Sequence, residues 1–134
     1  MSINYYTVEL EEVIDRIKRV LSRDKRVRVA VLFGSSTRRR LVRDVDVAFY
    51  ATPPLTLKET LLLGYLVESE LGVPVDLIPL NEIPPPLQYD VLTRGVPVIV
   101  RDEVLFNKLT AMALGGKQDL ELKLNLIAHS RALG

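Results

Sequence analysis

Apolar residues recur along this chain with two alternating periods. Leu10, Val13, Ile14, Ile17, Val20 and Leu21 fall at helical spacing with charged residues between them, which predicts an amphipathic first helix with Thr7 placed to cap it. Val27, Val29, Val31 and Phe33 then alternate with Arg28, Ala30 and Leu32, the period of a strand, and the run ends in Gly34-Ser35. Val45, Val47 and Phe49 predict a second strand. Thr56 with Glu59 three residues on reads as a capping box, opening a helix from Leu57 to Leu71 that Gly72 stops. Val73 to Ile78 is the next strand, with Asp76 inside it. Pro84 to Pro86 can start a helix through Leu87, Val91 and Leu92, closed by Gly95, and Val96 to Val100 makes a fourth strand. Asp102 predicts a helix to Leu114, broken at Gly115-Gly116. In the tail, Leu120, Leu122, Leu124 and Leu126 alternate like a strand, yet Leu120, Leu124 and Ile127 also fit one helix face; helix is the favoured reading. Its leucines then lie on two faces, so one face is expected to meet a partner or a second copy.

At 134 residues, 48% of them apolar, the chain suits one compact domain over 1–134, with 102–134 as a C-terminal helical extension. The formal net charge of +1 argues against a generally basic nucleic-acid binder. The charge is unevenly spread, however: Arg23, Lys25, Arg26, Arg28, Arg38, Arg39, Arg40 and Arg43 are expected to crowd the glycine turn, opposed only by Asp24, in a field that attracts polyphosphate. With no cysteine, thiolate catalysis, disulfides and cysteine-ligated zinc are excluded. The N-terminus lacks the pattern of a signal peptide, and the longest apolar run, Leu61 to Val67, is far short of the ~20 residues of a membrane span. A soluble, cytoplasmic protein without membrane association is expected.

The chemistry concentrates between Phe33 and Ala48, with one outlying acid. Asp44 and Asp46, one residue apart at the start of a strand, can grip a divalent cation, because hard carboxylate oxygens suit Mg2+ and leave positions for substrate phosphates. Gly34, with no Cβ, lets backbone amides and the Ser35 hydroxyl approach phosphate oxygens, and the segment after it is expected to offer a helix N-terminus to the same anion. Asp76 is a carboxylate in a strongly apolar strand, costly to bury without a cation or donors. Each residue has a duller reading: Gly34 as a turn glycine, Asp44 as a turn cap, the arginines as a solvated face. His129 reads as a surface residue, and Gly115-Gly116-Lys117 lacks the upstream glycine and following hydroxyl of a phosphate loop.

Leu32-Phe33-Gly34-Ser35, the Asp44-Val45-Asp46 pair, Val75-Asp76-Leu77 and the Pro-Pro-Pro-Leu-Gln-Tyr run leading to Gly95 resemble the minimal nucleotidyltransferases of the DNA polymerase beta superfamily. The match covers most of the chain and is nearest to the stand-alone MNT domains, many of which are antitoxins paired with HEPN-domain ribonucleases. One departure is plain: in the family's Gly-Ser-x-Ala-Arg-Gly loop Arg38 matches the arginine, while Thr37 and Arg39 replace the alanine and the second glycine, and the loop to Asp44 is shorter.

The resemblance implies an α/β (α+β) nucleotidyltransferase fold, a mixed sheet of four to five strands flanked by helices. It implies Asp44, Asp46 and Asp76 as catalytic and metal-binding residues holding one or two Mg2+ ions, Asp76 also as general base, and Gly34, Ser35 and Arg38 as nucleotide-binding residues. The implied reaction moves a nucleoside monophosphate, AMP from ATP, onto a hydroxyl of a HEPN toxin. Two rivals stay open: a non-catalytic antitoxin binding module, and transfer to a small molecule or an RNA end. A homo-oligomer through the C-terminal helix is a further expectation.

Overall fold

A computed structural model describes residues 4–133. The chain runs β1 (Tyr6–Thr7), α1 (Leu10–Leu21), β2 (Val27–Phe33), a 3-10 turn (Ser35–Thr37), β3 (Leu41–Val42), β4 (Val45–Ala51) and α2 (Leu57–Leu71). It continues through β5 (Val75–Pro79), a 3-10 turn (Leu80–Glu82), α3 (Pro85–Arg94), β6 (Val96–Val100) and α4 (Glu103–Leu133). Four strands form a mixed sheet in the order β5-β4-β2-β6, and β1 pairs with β3 in a separate two-stranded ribbon. β4 and β5 are parallel, joined by α2 as the crossover; β2 is antiparallel to both β4 and β6. A mixed four-stranded sheet flanked by helices is the architecture that the resemblance implied.

The sheet is covered on both faces, and strand parity assigns each residue to one of them. Val45, Val47 and Phe49 of β4 join Ala30 and Leu32 of β2 beneath Val13, Ile17 and Leu21 of α1 and Leu63 and Val67 of α2. On the opposite face Val29, Val31 and Ala48 pack with Ile83, Val91, Leu92 and Ala113. β2 therefore does not have the single apolar face its alternation suggested: as a central strand it buries Val29 through Leu32 completely, and only Arg28 is exposed. A register shift between Val27 and Val29 carries Val27 to the α1 face.

Helix α2 begins and ends as predicted. Thr56 accepts from the Glu59 N–H at 3.1 Å while the Glu59 carboxylate accepts from the Thr56 N–H at 3.0 Å, and Gly72 closes the helix at φ 72°. Thr7, by contrast, does not cap α1. It pairs with Leu41 in the ribbon, and Glu9 occupies the cap position without a side-chain hydrogen bond. Gly115-Gly116 does not break the chain either, since α4 runs through them as one 31-residue helix. Its first half packs on α3, with the Gly116 Cα close to Pro85: an added Cβ would lie 3.0 Å from the proline's Cβ. Close packing there offsets the roughly 1 kcal/mol that a glycine costs a helix. Beyond Lys117, Leu120, Leu122, Leu124, Leu126 and Ile127 are exposed. Among the described residues no helix is long and apolar enough to cross a membrane.

Candidate active site

The three acids meet at one end of the sheet because of register. Asp46 is the second residue of β4, its Cα partner on the antiparallel side is Phe33, and on the parallel side it is Asp76 of β5. Adjacent strands lie about 4.8 Å apart, so Asp46 and Asp76 stand side by side, and Asp44, two residues earlier, shares their parity. The β5 register is held by α2, whose Glu68 carboxylate accepts the Val75 N–H at 2.9 Å, one residue before Asp76.

Gly34 fits against this cluster in a way that excludes any other residue. Its backbone sits at φ 81°, ψ −158°, a region essentially reserved for glycine. A Cβ placed there would also lie 2.5 Å from Asp46 Oδ2. The glycine that ends β2 is thus in contact with the central acid of the cluster, and the turn-glycine reading does not account for that contact.

The electrostatics follow from the crowding. Asp46 is half-buried, and burial first, then the charges of Asp44 and Asp76, push its carboxyl from the ordinary 3.8 up to about 6. Asp44 and Asp76 are exposed. Asp76 is therefore not the buried charge its apolar strand suggested: β5 is the edge strand of the sheet, and its acid points out at the rim. No three acidic or histidine side chains among the described residues are gathered into a ready-made metal cage. The donor set nevertheless suits Mg2+, which takes one or two carboxylates together with substrate phosphates instead of an all-protein cage. A cation would also relieve the repulsion that raises Asp46.

After Gly34 the chain makes only a three-residue 3-10 turn, Ser35–Thr37, so the expected helix N-terminus is not present at the turn. The Ser35 carbonyl accepts the N–H groups of Arg38 and Arg39 at 3.0 and 2.8 Å, and the Thr37 hydroxyl donates to the Gly34 carbonyl at 2.8 Å. The β1–β3 ribbon, extended by the Val8 N–H to Arg40 carbonyl bond at 2.7 Å, pins the loop that leads to Asp44. Ser36 is buried, and its Oγ has no hydrogen-bond partner.

The arginines do not all gather at the turn. Arg23, Lys25, Arg26 and Arg28 lie at the opposite end of β2, roughly 20 Å away for a seven-residue strand. There Arg26 is held by Asp24 at 2.8 Å and by Glu59 at 2.7 Å, the second acid being absent from the sequence-based expectation. At the turn, Arg40 approaches Glu9 at 3.7 Å and Arg43 lies over the Tyr5 ring. Arg38 has no ion-pair partner among the described residues.

Arg38 instead lines a cleft of about 460 Å3 with Phe33, Gly34 and Thr37 on one wall and Leu87, Asp90 and Arg94 of α3 on the other. Sequence reasoning passed over Asp90 and Arg94. Their spacing of four on α3, facing the glycine turn, was the available signal, but it needed the helix to be placed. Gly95 places it: a Cβ there would lie 2.4 Å from the Val91 carbonyl oxygen and 2.5 Å from Val31 Cγ1, so only glycine lets α3 end this close to β2.

Known structures share this fold. A chain of a toxin-antitoxin structure with AMP-PNP superposes with a TM-score of 0.73 at 22% identity, covering 89% of this chain and 98% of its own. A chain from the complex of a tri-AMPylated Shewanella oneidensis HEPN toxin with MNT antitoxin gives 0.73 at 19% identity, covering 92% and 98%. At those identities both speak to the fold alone. A candidate minimal nucleotidyltransferase is 31% identical, covering 67% of this chain and 96% of its own, with a TM-score of 0.55. No curated protein sequence matches the chain. The family model described as "Polymerase beta, Nucleotidyltransferase" matches residues 15–104, and with glycine turn and acidic rim in register the chain belongs to the polymerase beta nucleotidyltransferase family.

Proposed function

We propose that this protein is an antitoxin that transfers AMP from ATP to a hydroxyl on a HEPN-type toxin. The observation that carries the reading is the contact of Gly34 with Asp46, itself in register with Asp76: a phosphate-admitting turn touches a carboxylate cluster at one end of the sheet. Support for nucleotide and partner comes from relatives of the same fold, one with AMP-PNP and one with a tri-AMPylated HEPN toxin.

In this mechanism Gly34 and Ser35 hold the β and γ phosphates through backbone amides and the hydroxyl, and Arg38 supplies a positive charge from the cleft wall. Asp44, Asp46 and Asp76 would hold one or two Mg2+ ions, which supply neutralisation of the charge on the triphosphate and the departing pyrophosphate. Asp76, exposed at the rim, takes the proton of the acceptor hydroxyl as its oxygen bonds to the α-phosphorus. The α–β bridging P–O bond breaks, pyrophosphate leaves, and the acceptor carries the nucleotide as a monophosphate ester. Leu87, Asp90 and Arg94 border the space left for sugar and base.

Calorimetric titration with ATP, with and without Mg2+, tests this without knowledge of the acceptor. Binding that needs the metal and is lost in Asp46→Asn, with the circular dichroism spectrum unchanged, is the expected result. Metal-independent binding, or full transfer activity in Asp46→Asn, overturns it; no binding of any nucleoside triphosphate moves the weight to a non-catalytic antitoxin module.

A further inference from the structure

Helices α1 and α2 lie side by side on the same face of the sheet, yet their outer faces differ in kind. α1 presents Glu11, Glu12, Asp15, Lys18, Arg19 and Ser22 to solvent. α2 presents Leu57, Leu61, Leu62, Tyr65 and Leu66, which are 75%, 65%, 59%, 64% and 41% exposed. At about 100° per residue these five fall within one half of the helix circumference, which they share with Lys58, Glu68 and Ser69. Packing on the sheet is already satisfied by Thr60, Leu63, Gly64 and Val67 on the other half. The outer patch, on the order of 500 Å2, sits at the upper end of what a monomer leaves exposed and is apolar in excess of any need of the fold.

We propose that the outer face of α2 is a self-association surface, on which a second copy of this chain packs its own α2 antiparallel about a two-fold axis near Leu61 and Tyr65. Two observations choose this occupant. The first is area: two such faces together remove about 1,000 Å2 from water, the lower bound of a specific interface, and almost all of it is leucine and tyrosine. The second is charge. Lys58 and, across the groove from Leu62 and Leu66, Arg23 and Lys25 surround the N-terminal half of α2. Neither Arg23 nor Lys25 has an ion pair among the described residues. The last turns carry Glu68, whose carboxylate also accepts the Val75 N–H, and the carbonyl ends of the helix, with a negative partial charge, while Glu70 is already paired with Arg19 at 3.1 Å. A two-fold operation lays the basic end of one helix over the acidic end of the other twice and opposes the two helix dipoles, so the surface carries both halves of its own complement. The proposal goes beyond the transfer reaction and stands or falls independently of it, because the patch lies on α2 and not on the acidic rim.

The test is sedimentation equilibrium on the full chain across a concentration series. The expected mass approaches twice the 15.1 kDa of one chain. Leu61→Glu and, at the most exposed position, Leu57→Lys are expected to return it to a monomer with unchanged circular dichroism, thermal melt and ATP binding, and Lys58→Glu to weaken the dimer about tenfold. Leu122→Glu on α4 is expected to leave the dimer intact. A monomer throughout the series overturns the proposal. So does a dimer that survives Leu61→Glu and Leu57→Lys but is lost with Leu122→Glu, and so does a monomeric chain whose α2 variants lose only binding to a HEPN-type protein.

Discussion

Asp46 is a carboxylate held where carboxylates are least comfortable, half-buried between two others and against a backbone that only glycine can make. Its folded-state value of about 6 lies above the ordinary 3.8, so the folded protein binds this proton more tightly than the unfolded chain does. The sign follows: the penalty is absent below about pH 4, grows as pH rises through 6 and is full above it. Asp46→Asn is therefore expected to abolish transfer while raising stability at neutral pH by on the order of 1 kcal/mol, discounted for the half-exposed site, and to show no gain at pH 4. Thermal melts of both proteins across that range check this, and a loss of stability at pH 7 contradicts it. Ser36 presents the converse case, a buried hydroxyl with nothing to bond. Ser36→Ala is expected to be stabilising by up to about 1 kcal/mol, because it removes an unsatisfied polar atom and leaves the volume almost unchanged. The acids, Gly34 and Ser35 could be picked out from residue type and spacing, and Arg38 from the resemblance of its loop. Gly34's contact with Asp46, and Asp76's exposure, could not, since both depend on which strands are neighbours.

At the scale of elements, α2 and α4 show where local signals suffice and where they do not. α2 carries its own punctuation, a reciprocal cap at Thr56–Glu59 and a left-handed glycine at 72, and those hydrogen bonds form within a few residues of one another. The Gly115-Gly116 pair in α4 reads locally as a stop. It is overridden by the packing of α4 on α3, where a Cβ at position 116 would lie 3.0 Å from the Pro85 Cβ, while nothing lies within 4 Å of a Cβ at Gly115. The two glycines are thus expected to part company on substitution. Gly115→Ala gains roughly 0.5–1 kcal/mol from helix propensity, whereas Gly116→Ala gains nothing or loses stability as the α3–α4 contact opens. Denaturant midpoints measured on both variants decide it. The β1–β3 ribbon escaped notice for a different reason: two-residue strands are too short to have a period, and Thr7 was free to be read as a cap.

For the whole molecule, the sheet separates two sets of cations that the chain places close together in sequence. Arg38 lines the cleft at the glycine turn, and Arg26 is bound by Asp24 and Glu59 at the far end of β2. Arg38→Ala is expected to weaken ATP about tenfold, the loss of one charge-assisted phosphate contact, without moving Tm. Arg26→Ala is expected to lower Tm and leave ATP affinity unchanged; titration and melting of the pair separate a nucleotide contact from a structural ion pair. The amino-acid sequence by itself determined the helices and long strands, whose hydrophobic periods and caps act over a few residues. It also determined the chemical inventory of the site, because carboxylates, a glycine and a serine can be recognised wherever they fall. Only the tertiary structure decided that Asp76 stands beside Asp46 at an exposed rim, that Asp90 and Arg94 face the glycine turn, and that Arg23, Lys25, Arg26 and Arg28 lie at the wrong end of the sheet to help. Those outcomes follow from strand register and helix packing, interactions between residues far apart in the chain that no local pattern encodes.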